Sequence, residues 1–124
     1  MLISEKPTSQ ELYLKGKAGY ENGIETLNKL CREITGVEEA RALTMEDIIN
    51  SKYWEDEKKR DLIFGKENER LYYWLASSYV DAGSANADFG LRYVSDGRVY
   101  NDDLWYSNGN PYDGCYGVRA VVSL

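Results

Sequence analysis

The chain has 124 residues, a formal net charge of −6 and no histidine. A chain of this length can bury a core without disulfide or metal staples, so we expect one domain, 1–124, with residues 1–70 as a helical support and 71–124 as a sheet that carries a binding face. The acidic balance argues against a nucleic-acid partner, the lack of histidine removes the commonest catalytic base and metal ligand, and no apolar run is long enough for membrane insertion.

The N-terminal part predicts a short strand followed by a long helix. Leu2–Ile3 reads as the middle of a strand, which suggests the C-terminal domain of a longer protein. Residues 11–17 read as a connection that is ended by glycines. Between residues 21 and 34 apolar side chains recur at helical spacing, and Gly36 stands where a helix C-cap belongs. This segment therefore predicts an amphipathic helix.

A second, shorter helix is predicted after Thr44. Thr44 and Asp47 have the spacing of a capping box, and apolar residues follow on one helical face. The charged block 55–60 is typical of a solvated loop or helix face. The residues that the helices and central strands are expected to bury are Ile24, Leu27, Leu30, Ile34, Ile48, Trp74, Leu75, Leu91, Val118 and Val121.

Strands and turns follow the helical part. Residues 71–77 are apolar and aromatic, as in a central strand that is buried on both faces. Residues 89–95 and 98–106 flank Asp96-Gly97, a dipeptide favoured in two-residue hairpin turns. We expect a bulge near residues 101–103, because the apolar residues Val99 and Leu104 have opposite parity.

The end of the chain predicts a turn and one last strand. Residues 108–111 contain Asn, Gly and Pro and break the preceding strand, and residues 117–123 form the final one. Helices followed by antiparallel strands make the fold class α+β. Cys31 and Cys115 have no metal-ligand spacing. We expect two free thiols, with a bridge between them as the alternative.

Residues 71–124 also have an unusual composition. They contain no Lys, Glu, Gln or Met, but they hold eight Tyr and two Trp among many Ser, Gly, Asn and Asp. Tyr and Trp provide large, rigid contact area, and short polar side chains provide adaptable hydrogen bonds. This composition is typical of a surface that binds another molecule rather than one that converts it.

Five segments in chain order carry a resemblance to a known family. They are 20–28 (YENGIETLN), 40–48 (ARALTMEDI), 73–77 (YWLAS), 89–92 (FGLR) and 117–124 (GVRAVVSL). Together they resemble phage and gut-bacterial domains with the C-type lectin-like fold, in the branch related to formylglycine-generating enzymes. That family includes variable proteins of diversity-generating retroelements. Members often have Pro at the position that Ala occupies in the last segment.

The resemblance implies two helices that support a twisted antiparallel sheet, and a binding face built by the last strands and their loops. In retroelement systems mutation is directed at adenines, so diversified Asn codons never yield Lys, Glu, Gln, Met or Trp. By that rule Trp74 and Trp105 belong to the scaffold. The residues expected to be ligand-facing and variable are Ser84, Asn86, Asp88, Gly90, Tyr93, Ser95, Arg98, Tyr100, Asn101, Asp102, Asp103, Tyr106, Tyr112, Asp113, Gly114, Cys115 and Tyr116.

The resemblance implies adhesion to an unidentified protein or glycan on a cell surface, from a phage virion or a bacterial surface, with no catalytic residue, metal or cofactor. A lectin-like interaction domain without diversification is an alternative. Calcium-dependent sugar binding through Asn101, Asp102 and Asp103 is another, although the usual sugar-binding triplets are absent. Arg92 and Arg119 are better explained by structural ion pairs than by ligand contact.

Overall fold

A computed structural model describes residues 2–82 and 87–122 of the chain. Within these ranges the chain forms three helices and two open sheets, so the predicted α+β class is confirmed. The expectation of two helices is wrong, because the charged block continues into a third helix, α3 (Glu57–Phe64), which begins at an N-cap aspartate. No helix in the described part is both long and apolar enough to cross a membrane.

The first helix, α1, spans Gly16–Thr35 and begins five residues earlier than predicted. It follows directly on strand β2 (Leu12–Lys15), so the segment predicted as a connection is instead a strand. Leu27 is fully buried, and Gly36 ends the helix in the left-handed conformation, as expected. Ile34 was expected in the core but is 54% exposed, because the polar segment 8–10 beside the last turn covers it only in part.

Helix α2 (Met45–Asn50) begins with the predicted capping box. The Thr44 hydroxyl accepts a hydrogen bond from the Asp47 amide at 3.0 Å, and the Asp47 carboxylate accepts one from the Thr44 amide at 2.9 Å. Arg41 also binds that carboxylate through two donors, at 2.6 and 2.9 Å. Burial disfavours the charged form of Asp47, but these hydrogen bonds outweigh it, so its pKa is lowered.

The larger sheet has the order β2-β7-β4-β5-β6. Strands β4 (Tyr73–Ala82), β5 (Ala87–Ser95), β6 (Arg98–Tyr106) and β7 (Asp113–Val118) follow in chain order. Strands β5 and β6 match the predicted strands closely, whereas β4 ends five residues later than predicted. The predicted antiparallel sheet is wrong in one place, because β4 and β7 pair in parallel. Since β7 also pairs with β2, it joins the helical half of the chain to the sheet.

The β5–β6 hairpin turns at the predicted dipeptide. Asp96 and Gly97 have φ values of 49° and 76°, the pair of positive angles that a type I′ turn requires. The expected bulge lies next to residues 101–103, at Leu104. Phe89 and Gly90 of β5 pair with Trp105 and Asp103 of β6, so Leu104 between them has no partner on β5. Leu104 is fully buried, so the extra residue turns an apolar side chain into the core.

The smaller sheet brings the two ends of the described chain together. Strand β8 (Ala120–Val122) lies between β1 (Leu2–Ile3) and β3 (Arg41–Ala42). The expectation of a strand at the N-terminus is confirmed. The expectation of one continuous strand over residues 117–123 is wrong, because the chain leaves one sheet at Arg119 and enters the other.

Arg119 is fully buried at this crossing. Its guanidinium donates to the carbonyl oxygens of Ser4 at 3.0 Å and Leu62 at 2.5 Å, and to the Tyr73 hydroxyl at 3.2 Å. Leu62 lies in the last turn of α3, where carbonyl groups have no partner within the helix. Within residues 2–82 and 87–122 no carboxylate pairs with Arg119, so the expected ion pair is replaced by a set of carbonyl contacts.

The core has two parts. One packs α1 against the larger sheet around Leu27, Trp74 and Leu104, and the other packs α2 and α3 against β4 and β8 around Ile48 and Leu75. Ile24 and Leu30 are half-buried against the first part. The prediction of buried core residues is confirmed for Leu27, Ile48, Trp74, Leu75, Leu91, Val118 and Val121.

Candidate recognition cleft

An open cleft lies where β6 and the start of β7 separate. Its volume is about 480 Å³, and residues from β2, β6, β7 and the β6–β7 turn line it. Six of its residues belong to the set expected to face a ligand, whereas Lys15 and Pro111 do not. The lining residues are Lys15, Asn101, Asp102, Asp103, Tyr106, Pro111, Tyr112 and Asp113.

The turn between β6 and β7 shapes this cleft. Residues 107–112 fold back on β6, with the Tyr112 amide donating to the Leu104 carbonyl at 2.8 Å and the Tyr106 amide donating to Asn110 at 3.1 Å. After this turn the next strand, β7, does not pair with β6 but with β2. The two strands therefore diverge, and the residues at their separation line an open space.

Two tyrosines form the aromatic part of the cleft. The ring centroids of Tyr106 and Tyr112 are 4.5 Å apart with an angle of 60° between the rings. Tyr112 is 42% exposed, and Tyr106 is half-buried. Such edge-to-face pairs are favourable and limit the freedom of both rings. The cleft thus offers an aromatic surface whose shape is largely set before any ligand binds.

Two of the three carboxylates of the cleft accept hydrogen bonds from tyrosine hydroxyls. The Tyr79 hydroxyl donates to Asp103, and the Tyr13 hydroxyl donates to Asp113 at 2.9 Å. Burial and the charge of Asp103 raise the pKa of Tyr79, and the hydrogen bond to Asp113 raises the pKa of Tyr13. Both tyrosines therefore remain protonated donors at neutral pH.

Asp102 differs from these two carboxylates. Its Oδ2 atom is buried without a hydrogen-bond partner in the described part of the chain. Burial raises the pKa of Asp102, a hydrogen bond from the Tyr116 hydroxyl opposes this rise, and the charges of Asp103 and Asp113 add to it. Oδ2 lies so close to Gly114 that a Cβ there would overlap it. Asp102 is therefore both a lining residue of the cleft and a packing residue behind it.

Two expected ligand-facing residues are buried glycines, which corrects their assignment. A Cβ on Gly114 would overlap Asp102 and approach the Trp74 ring to 2.8 Å. A Cβ on Gly90 would overlap the Asp102 carbonyl and lie 2.7 Å from the Tyr79 hydroxyl. Neither position leaves room for a side chain, so both glycines serve the close packing of strands.

Tyr93 and Tyr116 lie in a stack beside the cleft and do not line it. Their rings are parallel within 13° and 4.2 Å apart. Tyr100 stacks on the outer side of Tyr93 at 5.6 Å, and Trp74 meets Tyr116 edge-on at 4.8 Å. Only Tyr100 is exposed in this row, so Tyr93 and Tyr116 act mainly in packing. Both side chains are half-buried and lie outside the lining of the cleft, so their expected role as direct contacts stays a prediction.

The remaining expected residues lie elsewhere or outside the described ranges. Arg98 and Cys115 are exposed on β6 and β7 but do not line the cleft, and the half-buried Asp88 and Ser95 lie on β5. Ser84 and Asn86 lie outside the described residues. Cys31 is buried and Cys115 exposed, and both are free thiols, as expected.

Two other expectations concern side chains near the cleft. Arg92 donates to Asn101 at 3.2 Å and lies 6.0 Å from the centre of the Tyr79 ring, so it makes contacts other than the expected ion pair. Trp105 was assigned to the scaffold. It is half-buried, stacks on Phe89 at 4.5 Å, and has the Lys17 ammonium 5.4 Å from its ring.

Lys15 and Pro111 were missed because the relevant signal is not local. Lys15 reaches the cleft through the pairing of β2 with β7, in which it stands opposite Asp113.

Among residues 2–82 and 87–122 no group of three or more His, Cys, Asp or Glu is placed to hold a metal ion. Comparisons of the chain with models of known families, with curated proteins and with solved structures find no match.

Proposed function

We propose that this protein is a recognition domain of C-type lectin-like fold whose cleft binds a partner on a cell surface, and whose binding face is diversified by a retroelement. The setting that fits this proposal is adhesion by a phage virion or a bacterial surface. Binding needs no catalytic residue, metal or cofactor in this scheme, and it involves neither nucleic acid nor membrane insertion.

One observation carries the proposal. Six residues from the part of the chain that lacks Lys, Glu, Gln and Met come together around a single cleft. Recognition surfaces combine rigid aromatic contacts with short polar side chains, and this cleft combines two Tyr with three Asp and one Asn. The residue types that adenine-directed mutation can produce are therefore concentrated at a concave surface suited to a ligand.

The arrangement of the chain also supports a variable face on a constant support. Helix α1 and strand β2 lie outside the compositionally biased part, and they pack against it through buried apolar residues. The side chains of Asn101, Tyr112 and Asp113 are exposed, so a change at these positions removes little packing. Substitutions at exposed positions usually alter stability by less than about 0.5 kcal/mol.

A displayed library tests this proposal. Asn101, Asp103, Tyr106, Tyr112 and Asp113 are randomised, while Asp102 and Gly114 are kept. The library is sorted for resistance to protease and then for binding to lysozyme, streptavidin and serum albumin. We expect most clones to resist protease and specific binders to appear for at least one target.

A second library on α1 provides the control. It randomises Glu21, Glu25, Lys29 and Glu33, which are exposed along that helix. This library should fold equally well and give no specific binders, because it lacks a concave surface. The proposal fails if most cleft variants unfold, or if the helix library gives binders as often as the cleft library. A reverse transcriptase gene and a near-identical template repeat beside the gene are the corresponding genomic expectations.

A further inference from the structure

The charges around the cleft are not balanced. Three aspartates line it against one lysine, Lys15. Among residues 2–82 and 87–122 none of these aspartates has a cationic partner within 4.0 Å, whereas Asp47 is bound by Arg41. The fold therefore neutralises an aspartate at a helix start but leaves those of the cleft available.

Two of these carboxylates are nevertheless oriented by hydrogen bonds. Tyr79 holds Asp103, and Tyr13 holds Asp113, each through a neutral hydroxyl that donates to one carboxylate oxygen. An ionised carboxylate can accept about four hydrogen bonds, so each keeps free acceptor positions. A carboxylate that is oriented and still charged binds a donor cation at a smaller entropic cost than a mobile one.

The tyrosine pair adds a second feature that favours a cation. The face of an aromatic ring carries negative potential and attracts ammonium and guanidinium groups. Tyr106 and Tyr112 line the same cleft as the aspartates, and their rings are in contact.

We propose that the cleft receives an arginine side chain of a protein partner, with its guanidinium between the Tyr106–Tyr112 pair and the carboxylates of Asp103 and Asp113. This inference rests on the proposed function and names the ligand chemistry of that same site. A guanidinium fits better than an ammonium, because it is planar, stacks on rings and offers five donors in a fixed plane. Two carboxylates can share those donors.

An NMR titration with N-acetyl-arginine methylamide tests the inference. N-acetyl-citrulline methylamide is the matched probe, because it has nearly the same shape and no charge. We expect the arginine probe to shift the ring resonances of Tyr106 and Tyr112 saturably and at least about fivefold more tightly than the citrulline probe. Equal shifts with both probes, or shifts at other residues only, would overturn the inference.

Variants separate the charge of the cleft from the charge of the whole protein. Asp103→Asn with Asp113→Asn preserves the acceptors for the tyrosine hydroxyls and should weaken the arginine probe about fivefold or more. Asp81→Asn is the control, because Asp81 is exposed and does not line the cleft. Unchanged affinity in the double variant contradicts the inference. If the double variant loses its native circular dichroism, each single variant is measured instead, with a smaller loss expected.

Lys15 gives a test in the opposite direction. Lys15→Met removes the one cation of the cleft and should tighten the arginine probe about two- to threefold at low salt. Lys29→Met makes the same change on the exposed face of α1 and should have no effect. Weaker binding in Lys15→Met would show that Lys15 assists the ligand and would overturn the proposed arrangement. Specific binders from the cleft library, without arginine binding, would reject this inference alone.

Discussion

Gly114→Ala is the substitution that best separates a packing residue from a variable one. The added Cβ would overlap the Asp102 carboxylate and lie 2.8 Å from the Trp74 ring. Trp74 is fully buried and cannot move away, and Asp102 has its Oδ2 enclosed. Overpacking of this kind costs about 1–3 kcal/mol, and the loss of unfolded-state freedom returns about 0.5 kcal/mol. We expect a net destabilisation of about 0.5–2.5 kcal/mol.

Urea denaturation followed by tryptophan fluorescence measures this effect. Cys115→Ala is the neighbouring control and should change the free energy of unfolding by less than about 0.5 kcal/mol, because Cys115 is exposed. Asp102→Gly in the Gly114→Ala background removes one of the two obstructions. The double-mutant cycle should show a favourable coupling of about 1 kcal/mol. An unchanged midpoint for Gly114→Ala, or strict additivity in the cycle, would refute this account of the packing.

Three further predictions follow from the contacts described above. Arg119→Met should lower the free energy of unfolding by about 3–6 kcal/mol, because two hydrogen bonds from its buried, charged guanidinium to backbone carbonyls are lost; a urea midpoint close to that of the native protein would contradict this. The lowered pKa of Asp47 stabilises the fold above the unfolded-state value and loses this effect as pH falls through the folded-state value. The cost of Asp47→Asn should therefore be larger at pH 7 than at pH 3, and equal costs in urea titrations would exclude that linkage. A thiol reagent should label Cys115 alone in the folded protein and Cys31 only after unfolding, because Cys115 is exposed whereas Cys31 is buried. Burial also raises the pKa of Cys31 to about 11; two labels on the native mass would contradict this prediction.

The sequence predicted those elements whose signals are local. Asp96-Gly97 specifies its turn through backbone geometry, Thr44 and Asp47 specify a helix start within four residues, and Gly36 ends α1. Each of these signals depends on neighbours in the chain, so tertiary context does not change it. The beginning of α1 was missed for a related reason. No side chain caps the first turn of α1, and Lys15, the last residue of strand β2, directly precedes it. The sequence therefore carries no local signal for this helix start.

Features that depend on distant partners could not be predicted in the same way. The apolar run after residue 116 gives no sign that the chain changes sheets at Arg119, since both halves have strand-like residues. In the cleft, composition identified the polar and aromatic residues of β6 and β7. It could not separate Asn101 from Gly114, because one lies at a surface and the other under a neighbouring carboxylate.

The pairing of β1 with β8 has a mechanical consequence. Leu2 stands opposite Val122, so a force that pulls the two ends apart opens this ladder one pair at a time, as a zipper. Two residue pairs resist such peeling only weakly. Behind these pairs, Ser4 forms the first set of several hydrogen bonds. Its amide donates to the Ala120 carbonyl, its hydroxyl accepts from the Ala120 amide, and its carbonyl accepts from the Arg119 guanidinium. Under such a force the pairing of β1 with β8 should therefore yield first, while the cleft keeps its shape.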